Sequence, residues 1–364
     1  MRLLVAGGGT GGHLFPGIAV ADEVSRRGGG EVLFVGTSRG IETRAVPAAG
    51  YALETLAVSG LKRVGLVGTL AGLFRLPLAI AKSFAILRRF KPQVVLGVGG
   101  YASGPMVLAA ALLGYPTAIQ EQNSVPGITN RVLGRLVRAV FIAFEDAARF
   151  FPVRKIEQLG NPVRQKIVAA LERAGTVTTT SQKLRILVVG GSQGARAVSD
   201  LVTAAAAALS TANVDFALTH QTGNADLERI QERYRTLGLA ERVVVKPFID
   251  DMATAYAESD LVVARAGALT LAELAIAGKP AILIPLPTAA DDHQRKNAER
   301  FAHAGAALLL DQRNARAEDL ATAIAGLAKD AAKRSDMGAA MRGLAKPQAA
   351  QDIVDRLEAM VRRG

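Results

Sequence analysis

Two stretches of this chain repeat one pattern. Leu3-Leu4-Val5-Ala6 empties into Gly7-Gly8-Gly9-Thr10-Gly11-Gly12, and about half a chain later Leu187-Val188-Val189 empties into Gly190-Gly191-Ser192-Gln193-Gly194. The apolar runs do not alternate with polar residues, so each reads as a strand covered on both faces, the habit of parallel sheets. A turn built of glycines then leads into an Ala/Leu-rich helical stretch. Strand, glycine turn and helix in that order open a βαβ unit, so the chain is expected to build parallel sheets flanked by helices.

The rest of the sequence keeps the alternation. Further strands are expected at 32–35, 94–98 and 117–120 in the first half, and at 185–189, 216–219, 243–245, 261–264, 281–284 and 307–310 in the second. A length of 364 residues suits two domains at ~150 residues each. The polar, threonine-rich stretch 176–183 reads as a linker and places the boundary within 161–183. The expected division is an N-terminal domain at 1–162 and a C-terminal domain at 163–344. The closing segment 345–364 ends in a helix that can pack back on the first domain or stay with the second.

Composition narrows the class. Hydrophobic residues make up 50% and charged residues 21%, which excludes wholesale disorder. There is no cysteine, which removes disulfide frameworks, zinc ribbons, iron–sulfur clusters and thiol nucleophiles. The uncharged stretch 92–120 is broken by Gly97, Gly99, Gly100, Gly104, Pro105 and Pro116. It reads as strand, loop, helix and strand, so no segment is expected to span a bilayer, and no secretory signal is expected. A net charge of +12 suits a polyanionic partner, whether phosphorylated ligand, anionic lipid or nucleic acid. With only 5% aromatic residues and no finger, RNP or basic-heptad pattern, nucleic acid is the weakest of the three.

Four places carry residues suited to chemistry. Gly7-x-Gly9-x-x-Gly12 matches a dinucleotide fingerprint in form, but Val35 is followed by Gly36-Thr37-Ser38-Arg39, with no acid to hold a ribose. A reductase using NAD(P) is thereby weakened, and a bare tight turn is the plain alternative. His13 stands at the start of the following helix, where a base beside exposed N–H groups makes a catalytic corner. The second loop, Gly190 to Ala195, offers N–H groups and a helix dipole to phosphate, and without a following Gly-Lys-Ser/Thr it is no Walker A motif. Arg265-Ala266-Gly267-Ala268-Leu269-Thr270-Leu271-Ala272-Glu273 opens a third helix, with Glu273 able to accept both hydroxyls of a ribose. Its plain alternative is a Thr270–Glu273 capping box. Asp291-Asp292-His293-Gln294 begins a fourth helix, suited to sugar hydroxyls or simply to a solvated N-terminus. His220 is open between a structural and a cleft position, and His303 reads as a surface residue. No metal site is expected, since no His-Glu-x-x-His or Asp-x-Asp pattern occurs. Finally, 66–90 interleaves Leu73, Phe74 and Phe84 with Arg75, Lys82, Arg88 and Arg89, which reads as a membrane-surface helix or as a core helix with solvated cations.

In this order and spacing, several blocks are recognisable. They are Gly8-Gly9-Thr10-Gly11-Gly12-His13 with Phe15-Pro16-Gly17, Gly99-Gly100-Tyr101-Ala102-Ser103-Gly104-Pro105, Glu121-Gln122-Asn123 with Asn130, Gly190-Gly191-Ser192-Gln193-Gly194-Ala195, Gly267 to Glu273, and Asp292-His293-Gln294. Over nearly its whole length the chain resembles the MurG family, the peptidoglycan N-acetylglucosaminyltransferases of bacteria. The resemblance implies an α/β GT-B fold, two Rossmann-like doubly wound domains facing across a cleft. It implies inverting transfer of GlcNAc from UDP-GlcNAc to the C4 hydroxyl of MurNAc in lipid I, giving lipid II for the cell wall, with no tightly bound cofactor. By matching blocks it implies donor contacts from Thr10, Gly11, Gly12, Asn123, Arg164, Ser192, Ile249, Ala268, Leu269, Thr270, Leu271, Ala272, Glu273 and Gln294. It places Tyr101, Ser103 and Asn130 on the acceptor side and makes His13 the candidate base. A polyprenyl acceptor implies peripheral work on an anionic surface, the cytoplasmic face of the inner membrane, near cell-wall or division machinery. Other readings of the same residues are a second kind of GT-B enzyme, such as a glycolipid transferase or a UDP-GlcNAc 2-epimerase, and a non-catalytic nucleotide-sugar binder at the membrane.

Overall fold

Apolar runs become parallel strands and the stretches between them become crossover helices. In the computed structural model the described residues are 1–58, 66–174, 183–191 and 194–362; for 66–75 and 174 the description is of the backbone alone. In chain order the first half gives β1 (Arg2–Gly7), α1 (Gly11–Arg26), β2 (Glu31–Thr37), α2 (Glu42–Ala48), β3 (Ala52–Leu56), α3 (Leu66–Phe90), β4 (Val94–Gly99), α4 (Ser103–Leu112), β5 (Thr117–Glu121), α5 (Ile128–Leu133), β6 (Ala139–Ile142) and β7 (Ile156–Gln158). The second gives α6 (Gln165–Ala174), β8 (Leu184–Val189), α7 (Arg196–Thr211), β9 (Phe216–Gln221), α8 (Leu227–Thr236), β10 (Val243–Lys246), α9 (Met252–Glu258), β11 (Leu261–Ala264), α10 (Ala268–Ala277), β12 (Ala281–Leu283), α11 (His293–His303), β13 (Ala307–Leu309), α12 (Ala317–Lys329), α13 (Ala331–Gly343) and α14 (Ala349–Arg362).

One unit comprises Met1–Gln165 with Lys346–Gly364, the other Lys166–Ala345. The first holds a seven-stranded sheet of order β3-β2-β1-β4-β5-β6-β7 and the second a six-stranded sheet of order β10-β9-β8-β11-β12-β13. Every described pairing is parallel. Both orders run outward in two directions from a central pair, the doubly wound arrangement, so the chain is built of the two Rossmann-like units of a GT-B fold.

The two-residue period of a strand sorts β1 into two cores. Leu3 and Val5 pack with Leu14 and Ile18 of α1 and with Ile353, Val354 and Leu357 of α14, while Leu4 and Ala6 face the other way with Ile86, Leu87 and Met106. All of these side chains are buried, each contributing roughly 1.5–3 kcal/mol where it is large. The closing helix therefore belongs to the first unit. Arg27 on α1 reaches Asp355 at 2.6 Å and Arg356 reaches Glu157 at 2.5 Å. In the second unit Leu184, Ile186 and Val188 pack under α7 and α12 with Val202, Leu209, Leu320 and Ile324.

Candidate active site

In a doubly wound sheet the loops leaving the central pair of strands diverge, and the crevice they leave is where ligands bind. In the first unit that pair is β1 and β4, so loop 7–10 and loop 99–102 meet. Gly8 donates its N–H to the Gly99 carbonyl at 3.3 Å. Gly100 lies at φ +84°, and a Cβ on it would sit 2.3 Å from the Gly8 carbonyl oxygen, so only glycine fits. Thr10 is extended and precedes α1; its Oγ1 stands 3.0 Å from Nδ1 of His13. The half-buried imidazole rests against Gly99, whose Cβ would come within 2.7 Å of the ring. The loop is less open to anions than its sequence suggests. The Gly9 N–H donates to the carboxylate of Glu42 at 2.8 Å from beneath.

A second group lies at the end of β5. Glu121 is 1% exposed and accepts from the Asn123 N–H at 2.9 Å and from Asn130 Nδ2 at 2.9 Å. Burial pushes its carboxyl up, only partly opposed by the bonds from Asn123 and Asn130. Asn123 is half-buried and Tyr101 is exposed, both near the surface. Ser103 and Asn130, expected on the acceptor side of the cleft, are buried at 0% and 3% exposure. Ser103 begins α4 beneath Gly97, and Asn130 sits inside α5 holding Glu121. Asn130 Nδ2 thus donates to the Glu121 carboxylate from within the fold. Arg164 is exposed, with its guanidinium 5.5 Å from the centre of the Phe15 ring.

In the second unit the central pair is β8 and β11. Ser192 lies outside the described residues; of its neighbours, Gly194 donates its N–H to the Gly191 carbonyl at 2.9 Å. α10 begins at Ala268 with Gly267 as its cap, and no side chain caps it. The Thr270–Glu273 capping box is therefore not formed. Thr270 is already inside the helix, whose first turn is formed by Ala268, Leu269 and Thr270. Leu271 is buried in the core and Ala272 half-buried. Glu273, 9% exposed, accepts a hydrogen bond from Tyr256 Oη at 3.0 Å. Burial first, and the charge of Glu273 second, hold the Tyr256 phenol well above its ordinary range, so it donates. Gln294, in the first turn of α11, is fixed through its Oε1, which accepts from the Leu286 N–H at 3.0 Å. Ile249 is buried in the loop before α9, which Asp251 caps through Thr254. His220 is wholly buried, its Nδ1 2.9 Å from Tyr234 Oη, which makes it structural.

Three residues that sequence reasoning gave no role stand in these sites. Glu42 is one and Tyr256 another. The third is Arg265, half-buried, whose Nη1 donates to the carbonyls of Ile284 and Pro285 at 3.0 and 3.1 Å. Burial lowers its guanidinium to about 10. Among the described residues no group of three or more acids and histidines is arranged to hold a metal. On α3, the side chains of Leu73, Phe74 and Arg75 lie outside the described residues. Lys82 and Arg88 are exposed, Arg89 is exposed but paired with Glu54, and Phe84 is half-buried against the core. Leu76 and Leu78 are exposed on the same helix.

Known proteins are similar to this chain in sequence and in fold. Residues 3–142 match the model for the glycosyltransferase family 28 N-terminal domain, and residues 185–357 match that for the family 28 C-terminal domain. A Myxococcus xanthus protein, UDP-N-acetylglucosamine–N-acetylmuramyl-(pentapeptide) pyrophosphoryl-undecaprenol N-acetylglucosamine transferase, is 50% identical over 98% of this chain and 92% of its own. The crystal structure of Acinetobacter baumannii MurG superimposes with a TM-score of 0.79 at 32% identity, covering 98% of this chain and 99% of that one. A UDP-GlcNAc 2-epimerase from Neisseria meningitidis shares the fold alone, with a TM-score of 0.69 at 14% identity over 99% of this chain and 100% of that one. The chain belongs to glycosyltransferase family 28 and, within it, to the MurG family.

Proposed function

We propose that this chain transfers GlcNAc from UDP-GlcNAc to the C4 hydroxyl of the MurNAc moiety of lipid I, forming lipid II with inversion at the anomeric carbon. The observation that carries the reading is the match, end to end and at about half of all positions, to relatives named for that transfer. The second unit takes the donor. Glu273, oriented by Tyr256, accepts the ribose hydroxyls. The glycine-rich segment after β8, the N-terminus of α10 and the half-buried Arg265 take the diphosphate, where charge develops as UDP leaves. Gln294 reads sugar hydroxyls, and the Ile249 backbone pairs with uracil. No tightly bound cofactor enters the reading.

The first unit supplies the base. The acceptor hydroxyl is a poor nucleophile until its proton is removed, and His13 takes that proton as the oxygen attacks the anomeric carbon and the bond to UDP breaks. Thr10 fixes the direction of the ring. Tyr101 and Asn123 are the near-surface groups on this unit for the acceptor and the sugar. The acceptor's undecaprenyl tail calls for work at a bilayer. Among the described residues no helix is long and apolar enough to cross one, and α3, with Lys82, Arg88, Leu76 and Leu78 outward, is the docking element on an anionic cytoplasmic surface.

The test is transfer of radiolabelled GlcNAc to a short-chain lipid I analogue, with and without EDTA. Label in a disaccharide lipid at the same rate in both is expected. His13→Ala should lower the rate by at least about 100-fold, with UDP-GlcNAc titration unchanged. Donor binding without any disaccharide would remove the acceptor assignment, and release of an altered free sugar would favour the epimerase reading.

A further inference from the structure

A carboxylate without a cation is expensive to bury, and Glu42 is 0% exposed. It is the first residue of α2, and it turns back beneath the loop that follows β1. Its Oε2 accepts from the Gly9 N–H at 2.8 Å, and its Oε1 accepts from the Thr37 N–H at 2.8 Å and the Thr37 Oγ1 at 2.7 Å. The surroundings are cut to fit. A Cβ on Gly8, Gly36 or Gly40 would lie 2.5, 2.6 or 2.0 Å from the nearest atom of the Glu42 side chain. Burial would raise its carboxyl, but the bonds from Gly9 and Thr37 outweigh that and leave it below the ordinary value, so it stays ionised. In a dinucleotide-binding unit an acid near the end of the second strand holds the ribose. Here the acid arrives from α2 instead and is spent on the glycine loop itself.

Gly9 is the last residue before Thr10, at φ +88°, and Thr10 is the residue against which His13 Nδ1 stands at 3.0 Å. The Glu42–Gly9 bond thus fixes the backbone that aims both side chains. We propose that Glu42 is a positioning residue for the transfer: its buried carboxylate locks Gly9 and through it the Thr10–His13 pair. It touches no substrate. This assignment rests on the reading of His13 given above.

Glu42→Gln tests it with little change of shape. A carboxamide has one accepting oxygen, so either the Gly9 or the Thr37 side meets an N–H where it needs an acceptor. In the transfer assay kcat should fall about 100-fold, the scale of a 1 Å misplacement of reacting groups, while KM for UDP-GlcNAc stays within about twofold. The imidazole signals of His13 should move in the ¹H–¹⁵N spectrum; with four histidines in the chain, His13→Gln identifies them. A folded Glu42→Gln protein with wild-type kcat, or with unmoved His13 signals, overturns the proposal. So does equal damage to kcat and donor binding, which would mean a merely structural acid. Should Glu42→Gln fail to fold, Thr37→Val removes one of the three donors; smaller movements of the same signals and a several-fold loss of kcat are expected, and no change in either overturns the proposal. The spectrum needs no turnover, so it decides the assignment even if the wild type proved to transfer nothing to lipid I.

Discussion

At the scale of single residues, the site depends on buried polar pairs whose partners lie far apart in sequence. Tyr256 and Glu273 are such a pair. Tyr256→Phe keeps the packing but takes a donor from a nearly buried carboxylate, at a cost of about 1–2 kcal/mol. UDP-GlcNAc binding measured by calorimetry should weaken roughly 5- to 30-fold, and an unchanged Kd would detach Tyr256 from the donor site. His220 makes a pH prediction. Burial lowers its imidazole to about 4 from the ordinary 6.5. Because the folded state prefers the neutral ring, the stability this gives is present in full above pH 6.5 and drains away as pH falls toward 4, about 3 kcal/mol in all. The difference in urea unfolding between wild type and His220→Gln should shrink across that window, and a constant difference would contradict the assignment. The sequence named Glu273, His13, Thr10 and Gln294, because they sit in short motifs at helix starts. Tyr256 and Glu42 carry no local mark, and Arg265 stands at the head of the third motif with nothing local to give it a role; what distinguishes all three is the partner each meets after folding.

At the scale of elements, the meeting of two glycine loops is the tightest constraint. Gly100→Ala adds a Cβ 2.3 Å from the Gly8 carbonyl in a left-handed backbone. Gly114→Ala adds one at φ +80° with nothing within 4 Å. The second should cost only backbone strain of about 1 kcal/mol, and the first at least about 2–3 kcal/mol plus the geometry of the His13 corner. Thermal melts should therefore drop by about 3 °C for Gly114→Ala and by two to three times that for Gly100→Ala, with transfer lost only in Gly100→Ala. Equal melts and equal activities would refute the close approach. The central strands were legible because both faces are covered and the runs are purely apolar. β3 and β7 are not, being edge strands with Glu54 or Glu157 in the run, and β6 does not stand out because no glycine or proline separates its run from the apolar residues on either side, so it reads as part of a buried helix. The capping box failed for a related reason: Thr-x-x-Glu marks a helix start only when the threonine is the cap, and Gly267 already holds that place.

At the scale of the whole molecule, a net charge of +12 sets the expected response to a membrane surface. Near an anionic bilayer each exposed cation is worth about 1 kcal/mol. Reversing Lys82 and Arg88 to Glu should weaken binding to vesicles rich in anionic lipid by well over tenfold, more so at low salt. Reversing Arg89, already tied to Glu54, should do less, and equal effects from all three would argue for a diffuse surface rather than this helix. The sequence by itself determined the two parallel units, the order of their strands' glycine loops and the family, because those follow from hydrophobic period and from motifs that are contiguous in the chain. The last helix shows what it left open. Its stripe of Ile353, Val354 and Leu357 would suit either unit, and only the folded chain, where Arg27 finds Asp355 and Arg356 finds Glu157, returns it to the first. The same holds for Glu42 and Glu121. An acid in a sequence reads as solvated until the folded chain surrounds it with donors: Glu121 meets Asn123 and Asn130 only as the loop after β5 folds back, and the Gly9 N–H reaches Glu42 only through the first crossover connection.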